Sequence, residues 1–316
     1  MDNDDIFMIG YGGWARIFQH AAGDKYNYRQ PFEDAFEGGT LLQVTSANVT
    51  RTTNIPELHS YYLPFKESAS NSAKSPMLAG RGTYTFSGEI SFELTAGTLR
   101  NFLNPPFFER NSFFSMAFYD GQNVCAVTNC VWSSCTITCA PGSLVTVSLS
   151  YQSNNGYMDD IQVMPWDGDG LQYDENDLLI PYWTCGHAGF QSFTLTFDRS
   201  VTPVFLNGNL NVASYLRPGL VTVNLQVEAL EFIESWSNLD FIPIMFGSGK
   251  DSWKQINLNN SILQSSSYNM SSMSDTGAKT YVWRSLSSNP QNPVFTVTWG
   301  ETPLSSSSSS SSSGGN

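Results

Sequence analysis

Five cysteines are the residues of this chain whose type and spacing could do chemistry. Cys125, Cys130, Cys135 and Cys139 are separated by four, four and three residues, and Cys185 stands apart. Zinc ribbons and knuckles place their ligands two to four residues apart on turns. Cys135 and Cys139 instead fall on one face of a predicted strand, with Cα atoms about 13 Å apart at ~3.3 Å per residue, beyond the ~7 Å limit of a disulfide. The pattern favours buried thiols, with a cross-strand disulfide second and a metal site last.

Two other stretches carry charged groups of the kinds that occur in metal or phosphate sites. An acidic cluster lies at Asp167, Asp169, Asp174, Glu175 and Asp177. Such carboxylates could hold calcium, but the twelve-residue loop pattern is not met, so a solvated acidic linker is preferred. Residues 247–251, Gly-Ser-Gly-Lys-Asp, look faintly like a phosphate loop. The first glycine has the wrong spacing and Asp251 replaces the hydroxyl that would hold magnesium, so a hairpin turn is preferred.

Catalytic motifs are not evident. The histidines, His20, His59 and His187, are scattered over segments predicted to be irregular, and no G-x-S-x-G or H-E-x-x-H sequence occurs. Cys185 and His187 would share one face of a strand, but nothing indicates a third group to orient them. Two glycosidase carboxylates on separate strands would leave no sequence signal and stay open. We predict that the chain is not an enzyme and needs no metal or other cofactor.

The composition indicates a folded protein with an unusually uncharged surface. The 316 residues are enough for two domains with their own cores, and 41% are hydrophobic. Only 14% are charged, against the usual quarter, which is typical of extended β proteins and of subunits buried in assemblies. The net charge is -13 and the basic residues form no run, so direct nucleic-acid binding is disfavoured. A polyanion could still pass along such a surface without adhering.

Targeting and membrane segments are also not evident. The start, Met-Asp-Asn-Asp-Asp-Ile, is acidic and lacks the regions of a signal peptide. No apolar stretch approaches the ~20 residues that span a bilayer. We expect synthesis in a cytoplasm and no membrane contact.

Strands are the elements that would position these residues. Alternation typical of strands begins near Leu41 and recurs at short intervals, broken by Pro, Gly and Asn. Residues 135–151 form the strongest hairpin, with two alternating strands around an Ala-Pro-Gly-Ser turn. Helices are predicted over residues 98–103 and 228–236, the second from the helical spacing of its apolar residues.

The same order of elements occurs in each half of the chain. In the first half it comprises residues 48–56, 83–94 and 98–103. In the second half it comprises residues 193–203, 220–227 and 228–236. The hairpin segments 129–134 and 260–265 also correspond loosely. A duplicated β unit without a shared catalytic residue predicts two similar surfaces for an assembly.

We divide the chain on this basis into five parts. They are an N-terminal arm (1–40), a first unit (41–164), an acidic linker (165–180), a second unit (181–300) and a flexible Ser-rich tail (301–316). The first unit contains a long polar loop, residues 64–82. A loop of this length inside a compact domain is usually functional or disordered.

Residues 193–203, the loop after them and the strand 220–227 resemble the repeat unit of tail tube proteins from long-tailed, siphovirus-like bacteriophages. Residues 129–151, with their Pro-Gly turn, resemble the closing hairpin of that unit, and the likeness spans roughly residues 41–299. The resemblance implies an all-β fold with minor helix. Two tandem tail-tube-type units, each a β-sandwich or split barrel with one flanking α-helix, would join edge to edge around a lumen.

The resemblance also implies a function. The chain would be a structural virion protein of a phage tail that self-assembles into stacked rings, trimeric and pseudo-hexameric because each chain carries two units. Viral DNA would pass through the lumen without specific binding. The acidic net charge of the chain predicts that the lumen-facing residues are net negative or neutral. The implied partners are further copies of the chain, a tape-measure protein and a tail terminator. The long loop would contact a neighbouring ring through Pro64, Phe65, Lys66, Pro76, Met77 and Arg81.

Two other classes stay open. A receptor- or carbohydrate-binding β-sandwich of a phage tail tip would stack sugars on Trp132, Trp166 and Trp183. A concanavalin-like enzyme ranks last for want of a motif. The repeated order of strand, long loop, strand, helix and hairpin favours the tube. Tube subunits polymerise, whereas lectins and glycosidases remain discrete oligomers.

Overall fold

A computed structural model gives the architecture of the chain. It describes residues 6–8, 14–21, 39–54, 57–58, 77–78, 83–95, 98, 102–103, 105–108, 112–119, 124–140, 143–159, 182–185, 190–205, 213, 215–229, 238–247, 253–269, 278–286 and 293–300. Nearly all of these residues lie in antiparallel strands, which confirms the all-β class.

The described strands and helix are as follows in chain order. The first half contains β1 (Ile6–Met8), β2 (Trp14–Ala21), β3 (Thr40–Asn54), β4 (Glu57–Leu58), β5 (Met77–Leu78), β6 (Thr83–Glu93), α1 (Pro105–Phe108), β7 (Ser112–Tyr119), β8 (Val124–Cys139) and β9 (Thr146–Asp159). The second contains β10 (Tyr182–Cys185), β11 (Phe190–Val204), β12 (Tyr215–Ala229), β13 (Asn238–Gly247), β14 (Trp253–Asn269), β15 (Ala278–Ser285) and β16 (Phe295–Gly300).

One large sheet runs through both halves. In the first half the pairing order is β8-β7-β2-β3-β6-β9, and β9 pairs back onto β8, so this part of the sheet closes on itself. In the second half the order is β11-β12-β15-β14-β13-β10. β8 also pairs with β11, which connects the two halves. The predicted hairpin of residues 135–151 is confirmed, because β8 pairs with β9 and the amide of Ser143 donates to the carbonyl of Ala140 at 3.1 Å.

Strict alternation explains why these segments form strands. Along β9, Val147, Leu149 and Tyr151 are buried, while the residues between them are half-exposed. Apolar residues every second position fit a sheet with one packed face and one wet face. The main core cluster contains inward side chains from both halves.

Aromatic packing fills the centre of this core. Trp132 is fully buried and donates its indole N–H to the carbonyl of Phe107 at 3.0 Å. The rings of Phe102 and Phe107 lie 4.5 Å apart, and those of Phe107 and Trp132 lie 5.8 Å apart. A satisfied indole donor lets a ring of this size be buried without an unpaired polar group.

The order of pairing and its irregularities occur twice. β3-β6-β9-β8-β7 in the first half matches β11-β12-β15-β14-β13 in the second. The β8–β9 ladder has a bulge between Trp132 and Ser134, and the β14–β15 ladder has one between Leu263 and Ser265. Four residues before each of these bulged residues, Ser133 and Gln264, an asparagine has a left-handed backbone: Asn129 with φ 53° and Asn260 with φ 47°.

A buried serine next to each asparagine repeats the same hydrogen bond. Ser153 donates to the carbonyl of Thr128 at 2.6 Å, and Ser285 donates to the carbonyl of Asn259. These carbonyls belong to the residues immediately before Asn129 and Asn260. The repetition therefore extends from pairing order to single backbone torsions and hydrogen bonds.

The helix predictions are only partly correct. At residues 98–103 the amides of Phe102 and Leu103 donate to the carbonyl of Thr98 at 3.0 and 2.9 Å, which closes a single helical turn. Glu228 and Ala229, predicted to begin the second helix, instead end β12 and pair with both β11 and β15. Two neighbouring ladders saturate their backbone and override the local helical spacing. The remainder of that prediction, residues 230–236, lies outside the described residues.

Residues 1–40, predicted to form an N-terminal arm, contain two described strands. β2 lies in this segment and joins β7 to β3, so it is needed to close the sheet of the first half. Its buried Ala15 and Ile17 belong to the main core. β1 also lies here and pairs with β3 at residues 48–50. Within the described part of the chain, no helix is both long and apolar enough to cross a membrane.

Candidate functional site: a polar sheet face and two sheet edges

The main candidate surface is the face of the sheet that points away from the core, which we call the polar face. We define it by the outward residues of 87–93, 134–138, 146–152, 192–198, 222–228 and 280–284. These segments belong to β6, β9, β8, β11, β12 and β15, which are hydrogen-bonded in that order. The polar face is therefore continuous across the connection between the two halves.

Short hydroxyl side chains link neighbouring strands on the polar face. Hydroxyl oxygens face each other between Ser91 and Ser148 at 3.4 Å, Thr138 and Thr146 at 2.7 Å, and Thr136 and Thr196 at 3.5 Å. Cross-strand pairs of this kind stabilise a sheet by about 0.2–1 kcal/mol each. They also engage these hydroxyls with one another.

Carboxylates on the polar face accept from the same kind of hydroxyl. Ser148 donates to Glu89 at 2.6 Å. Ser134 donates to Asp198 at 2.6 Å, and Ser192 donates to Glu228 at 2.9 Å. The first of these bonds joins β9 to β6, and the second joins β8 to β11 across the two halves. Hydroxyl donors hold these carboxylates in place without neutralising their negative charge.

The charge of the polar face is net negative. Its acidic residues are Glu89, Glu93, Asp198 and Glu228, and its basic residue is Arg284. A surface with an excess of carboxylates repels the phosphates of a nucleic acid. Chemically, it can guide a polyanion without binding it.

Two sheet edges flank this surface. β3 pairs with β6 along one edge over residues 43–54, and on its other edge only with β2 at residues 40–42 and β1 at residues 48–50 among the described strands. β14 pairs with β13 on one edge over residues 253–262, and no described strand continues that edge over residues 263–269. Edge strands with unpaired backbone groups are templates for pairing with another chain.

The cysteine cluster is buried, as the sequence predicts. Cys125, Cys130, Cys135 and Cys139 are free thiols at most 6% exposed. Burial raises the pKa of Cys135 to about 12, aided by the nearby charge of Asp198, and raises the pKa of Cys130 well above its usual range. Thiols that stay protonated are poor nucleophiles and poor metal ligands. Among the described residues no His, Cys, Asp or Glu group is placed to hold a metal ion.

The sugar-stacking hypothesis fails for Trp132, because its indole lies inside the core and cannot meet a ligand. Trp183 lies in β10, and Trp166 falls outside the described residues. Cys185 ends β10, while its neighbour His187 lies outside the described residues.

The loop proposed to contact a neighbouring ring is described at only one of its six residues. Met77 lies in β5, which pairs with β4 in a separate two-stranded sheet. Pro64, Phe65, Lys66, Pro76 and Arg81 lie outside the described residues. The acidic cluster of residues 167–177 also lies outside them.

The structure also places His20 and the glycine-rich segment that begins at Gly247. His20 lies on β2 in place of an irregular segment, and its imidazole Nε2 is 3.0 Å from the hydroxyl of Ser115. Gly247 pairs with Trp253, so residues 248–252 connect adjacent antiparallel strands, as the preferred hairpin interpretation requires.

The sequence reasoning did not identify the polar face by residue. Its signal was present as alternating Ser, Thr and acidic residues on β6, β9 and β11. The sequence did not give the register of the strands, because the bulge at Ser133 changes which residues of β8 point outward. A one-residue shift moves every side chain to the other face.

The comparisons with known proteins agree with this geometry. Residues 74–230, about half of the chain, match the family model described as phage tail tube protein. That span runs from before β6 to the end of β12, so it includes the pairing of β8 with β11 that connects the two halves. A search among curated proteins gives no match.

Proposed function

We propose, from the premise that this chain belongs to the phage tail tube protein family, that it self-assembles into stacked rings whose polar faces line a channel for viral DNA. The observation that carries the proposal is the continuous, net-negative polar face that crosses from one half to the other. Its wall needs no catalytic group. It supplies fixed carboxylates and short hydroxyls, along which a polyanion slides without finding basic partners.

Tandem duplication is part of the proposal. The repeated pairing order, the matching bulges and the two left-handed asparagines support two related units in one chain. A ring of six such units then needs three chains. Closure of the ring would pair the edge of β3 that β1 and β2 only partly cover, and the edge of β14 over residues 263–269.

The remaining parts of the proposal rest on the family. The protein would act in the virion tail, after synthesis in the host cytoplasm. A tape-measure protein would set the tube length and a tail terminator would end it. The long loop of residues 64–82 would contact the neighbouring ring, through Pro64, Phe65, Lys66, Pro76, Met77 and Arg81. Hydrogen exchange should then show protection of this loop in the polymer and not in the monomer; equal protection in both would contradict this contact.

Electron microscopy tests the assembly directly. Negative-stain images of the purified chain at rising concentration should show rings or tubes with a central hole and threefold or apparent sixfold symmetry. Discrete particles without a hole at every concentration, including after addition of a preformed tail-tip complex as initiator, would contradict the proposal.

Chemical labelling tests which face lines the channel. Gln226 is exposed on the polar face, so a Gln226→Cys variant should react with both a small maleimide and a large polyethylene-glycol maleimide as a free chain. In tubes the small reagent should still react, while the large one should be excluded. Equal labelling by the large reagent in tubes would mean that the polar face points outward.

A further inference from the structure

The β8–β11 ladder connects the two halves, and its geometry can be compared with a possible connection between two copies of the chain. β8 and β11 pair antiparallel over six residues, with Ser134 opposite Asp198, Thr136 opposite Thr196, and Ile137 opposite Leu195. The hydroxyls of Thr136 and Thr196 lie 3.5 Å apart on the polar face. This ladder joins the first half to the second within one chain.

The repeat assigns a counterpart to each strand of this ladder. The bulges align β8 with β14, so that Ser134 corresponds to Ser265. β3 has a bulge between Val44 and Ser46 where β11 has one between Phe190 and Ser192. This second alignment makes residues 47–52 of β3 the counterparts of residues 193–198 of β11. The edge of β14 that no described strand pairs over residues 263–269 thus corresponds to the edge of β8 that pairs with β11. The edge of β3 that pairs with β1 corresponds to the edge of β11 that pairs with β8.

Burial shows that the counterpart segment of β14 is uncovered. Cys135 and Ile137 on β8 are fully buried beside β11. Their counterparts on β14 are Ser266, which is exposed, and Tyr268, which is 55% exposed. A large aromatic ring exposed on an open strand edge is typical of a contact surface.

The counterpart edge of β3 carries a short strand of its own chain. β1 pairs there with Ile6 opposite Thr50, Phe7 opposite Val49 and Met8 opposite Asn48. All three lie among residues 47–52, the β3 counterparts of β11 residues 193–198. The β1–β3 ladder has three residue pairs, whereas the β8–β11 ladder has six. A strand that pairs with β3 over more residues could therefore displace β1.

We propose that residues 265–268 of β14 in one copy pair antiparallel with residues 49–52 of β3 in the next copy, and that β1 leaves this edge when they do. The register follows from the β8–β11 ladder: Thr52 opposite Ser265, Arg51 opposite Ser266, Thr50 opposite Ser267, and Val49 opposite Tyr268. This inference rests on the proposed function, since it specifies how successive chains join. β1 then acts as an intramolecular cover of the assembly edge.

Disulfide trapping tests the register. Opposed residues in an antiparallel ladder have Cα atoms about 4.5–5.5 Å apart, within the ~4.4–6.8 Å range of a disulfide. The double variant Thr50→Cys/Ser267→Cys should assemble under reducing conditions and then form an intermolecular link on oxidation. Peptide mass spectrometry identifies the 50–267 bond in the presence of the native cysteines. The Thr52→Cys/Ser265→Cys variant provides a second reading of the same register.

The matched control is Thr50→Cys/Ser266→Cys, whose second cysteine points to the opposite face. It should give no intermolecular link. Tubes that form without the 50–267 and 52–265 links, or that link the control pair instead, overturn the register and leave the proposed function standing. A wild-type chain that forms neither rings nor tubes overturns both.

A reversible lock tests the role of β1. In the Ile6→Cys/Thr50→Cys variant the two cysteines are opposed within one chain, so oxidation should tie β1 to β3. The oxidised monomer should not assemble, and reduction should restore tubes. Assembly of the locked monomer to the same extent as the reduced one would overturn the displacement of β1. The Thr50→Cys single variant, treated identically, controls for oxidation alone.

Discussion

The guanidinium of Arg199 on β11 lies over the indole ring of Trp132 on β8, with its Cζ atom 3.8 Å from the ring centroid. Its Nε also donates to the carbonyl of Trp132 at 2.8 Å. Burial lowers the pKa of Arg199 from 12.5 to about 9, so the side chain is still protonated at neutral pH. One residue of the second half thus holds both the backbone and the ring of the central tryptophan of the first.

Arg199→Ala should destabilise the protein by about 3 kcal/mol, because it removes a desolvated cation–π contact and a charge-assisted hydrogen bond. Arg199→Lys should be intermediate, since an ammonium keeps the charge but loses the planar contact. Denaturant unfolding followed by tryptophan fluorescence measures both. Arg217 is exposed, and its Ala variant serves as the control, with a change within about 0.5 kcal/mol. Equal effects at the two positions would contradict the structural role of Arg199.

Gly88→Ala should destabilise the first half by about 2 kcal/mol through overpacking. A Cβ at this position would meet the carbonyl oxygen of Asn48 and would lie 2.5 Å from the hydroxyl of Tyr151. That hydroxyl already donates to the same carbonyl at 3.2 Å, so neither atom can retreat freely. Thermal unfolding measures the loss.

Gly219→Ala is the matched control for Gly88. Its Cβ would meet the hydroxyl of Ser200, an exposed side chain that can rotate away. We expect a change well below that of Gly88→Ala. A tolerated Gly88→Ala would mean that β3, β6 and β9 are not as close as described.

Asn129→Gly should leave stability nearly unchanged, whereas Asn129→Val should cost about 1–2 kcal/mol. The reason is the left-handed backbone at this position, which glycine adopts freely and β-branched residues do not. The same pair of substitutions at Asn260 should give the same order, because its φ is similar. Chemical denaturation distinguishes the variants. A valine tolerated at both positions would refute the shared torsion.

Cys130 and Cys135 should resist alkylation in the folded protein. With a pKa of about 12, Cys135 has a thiolate fraction of about one in 10⁴ at pH 8. Iodoacetamide at pH 8 should modify both residues within minutes in denaturant and only at the rate of global unfolding without it. Peptide mass spectrometry quantifies each site. Rapid modification of the native protein would show that the cysteine cluster is accessible.

The alternation of apolar and polar residues in the sequence predicts most of the strands. It does not predict the register of those strands. Apart from Leu94, the segments 83–94, 193–203 and 220–227 lie in β6, β11 and β12, because each alternates strictly and has a partner strand on both sides. Bulges at Ser133 and Gln264 carry no composition signal, so register and the membership of the polar face could not be predicted.

The exposure of individual side chains could not be predicted from the sequence either. Trp132 was a candidate for sugar stacking because tryptophan occurs both in cores and at binding sites. Only the packing of β8 against α1 and β11 decides which, and that packing involves residues 25 and 67 positions away. The net charge of the chain indicated a negative or neutral surface, but it could not name the acidic residues of the polar face.

The β8–β11 ladder has a consequence for how quickly a ring can form. Both of its strands belong to one polypeptide, so this interface forms at the effective concentration of a tethered pair and loses no translational freedom between molecules. In a ring built of such chains, every second interface is already complete before two molecules meet. Only the alternate interfaces carry the entropic cost of association. The concentration dependence of ring assembly should therefore be that of an association of three chains, and not that of an association of six separate units.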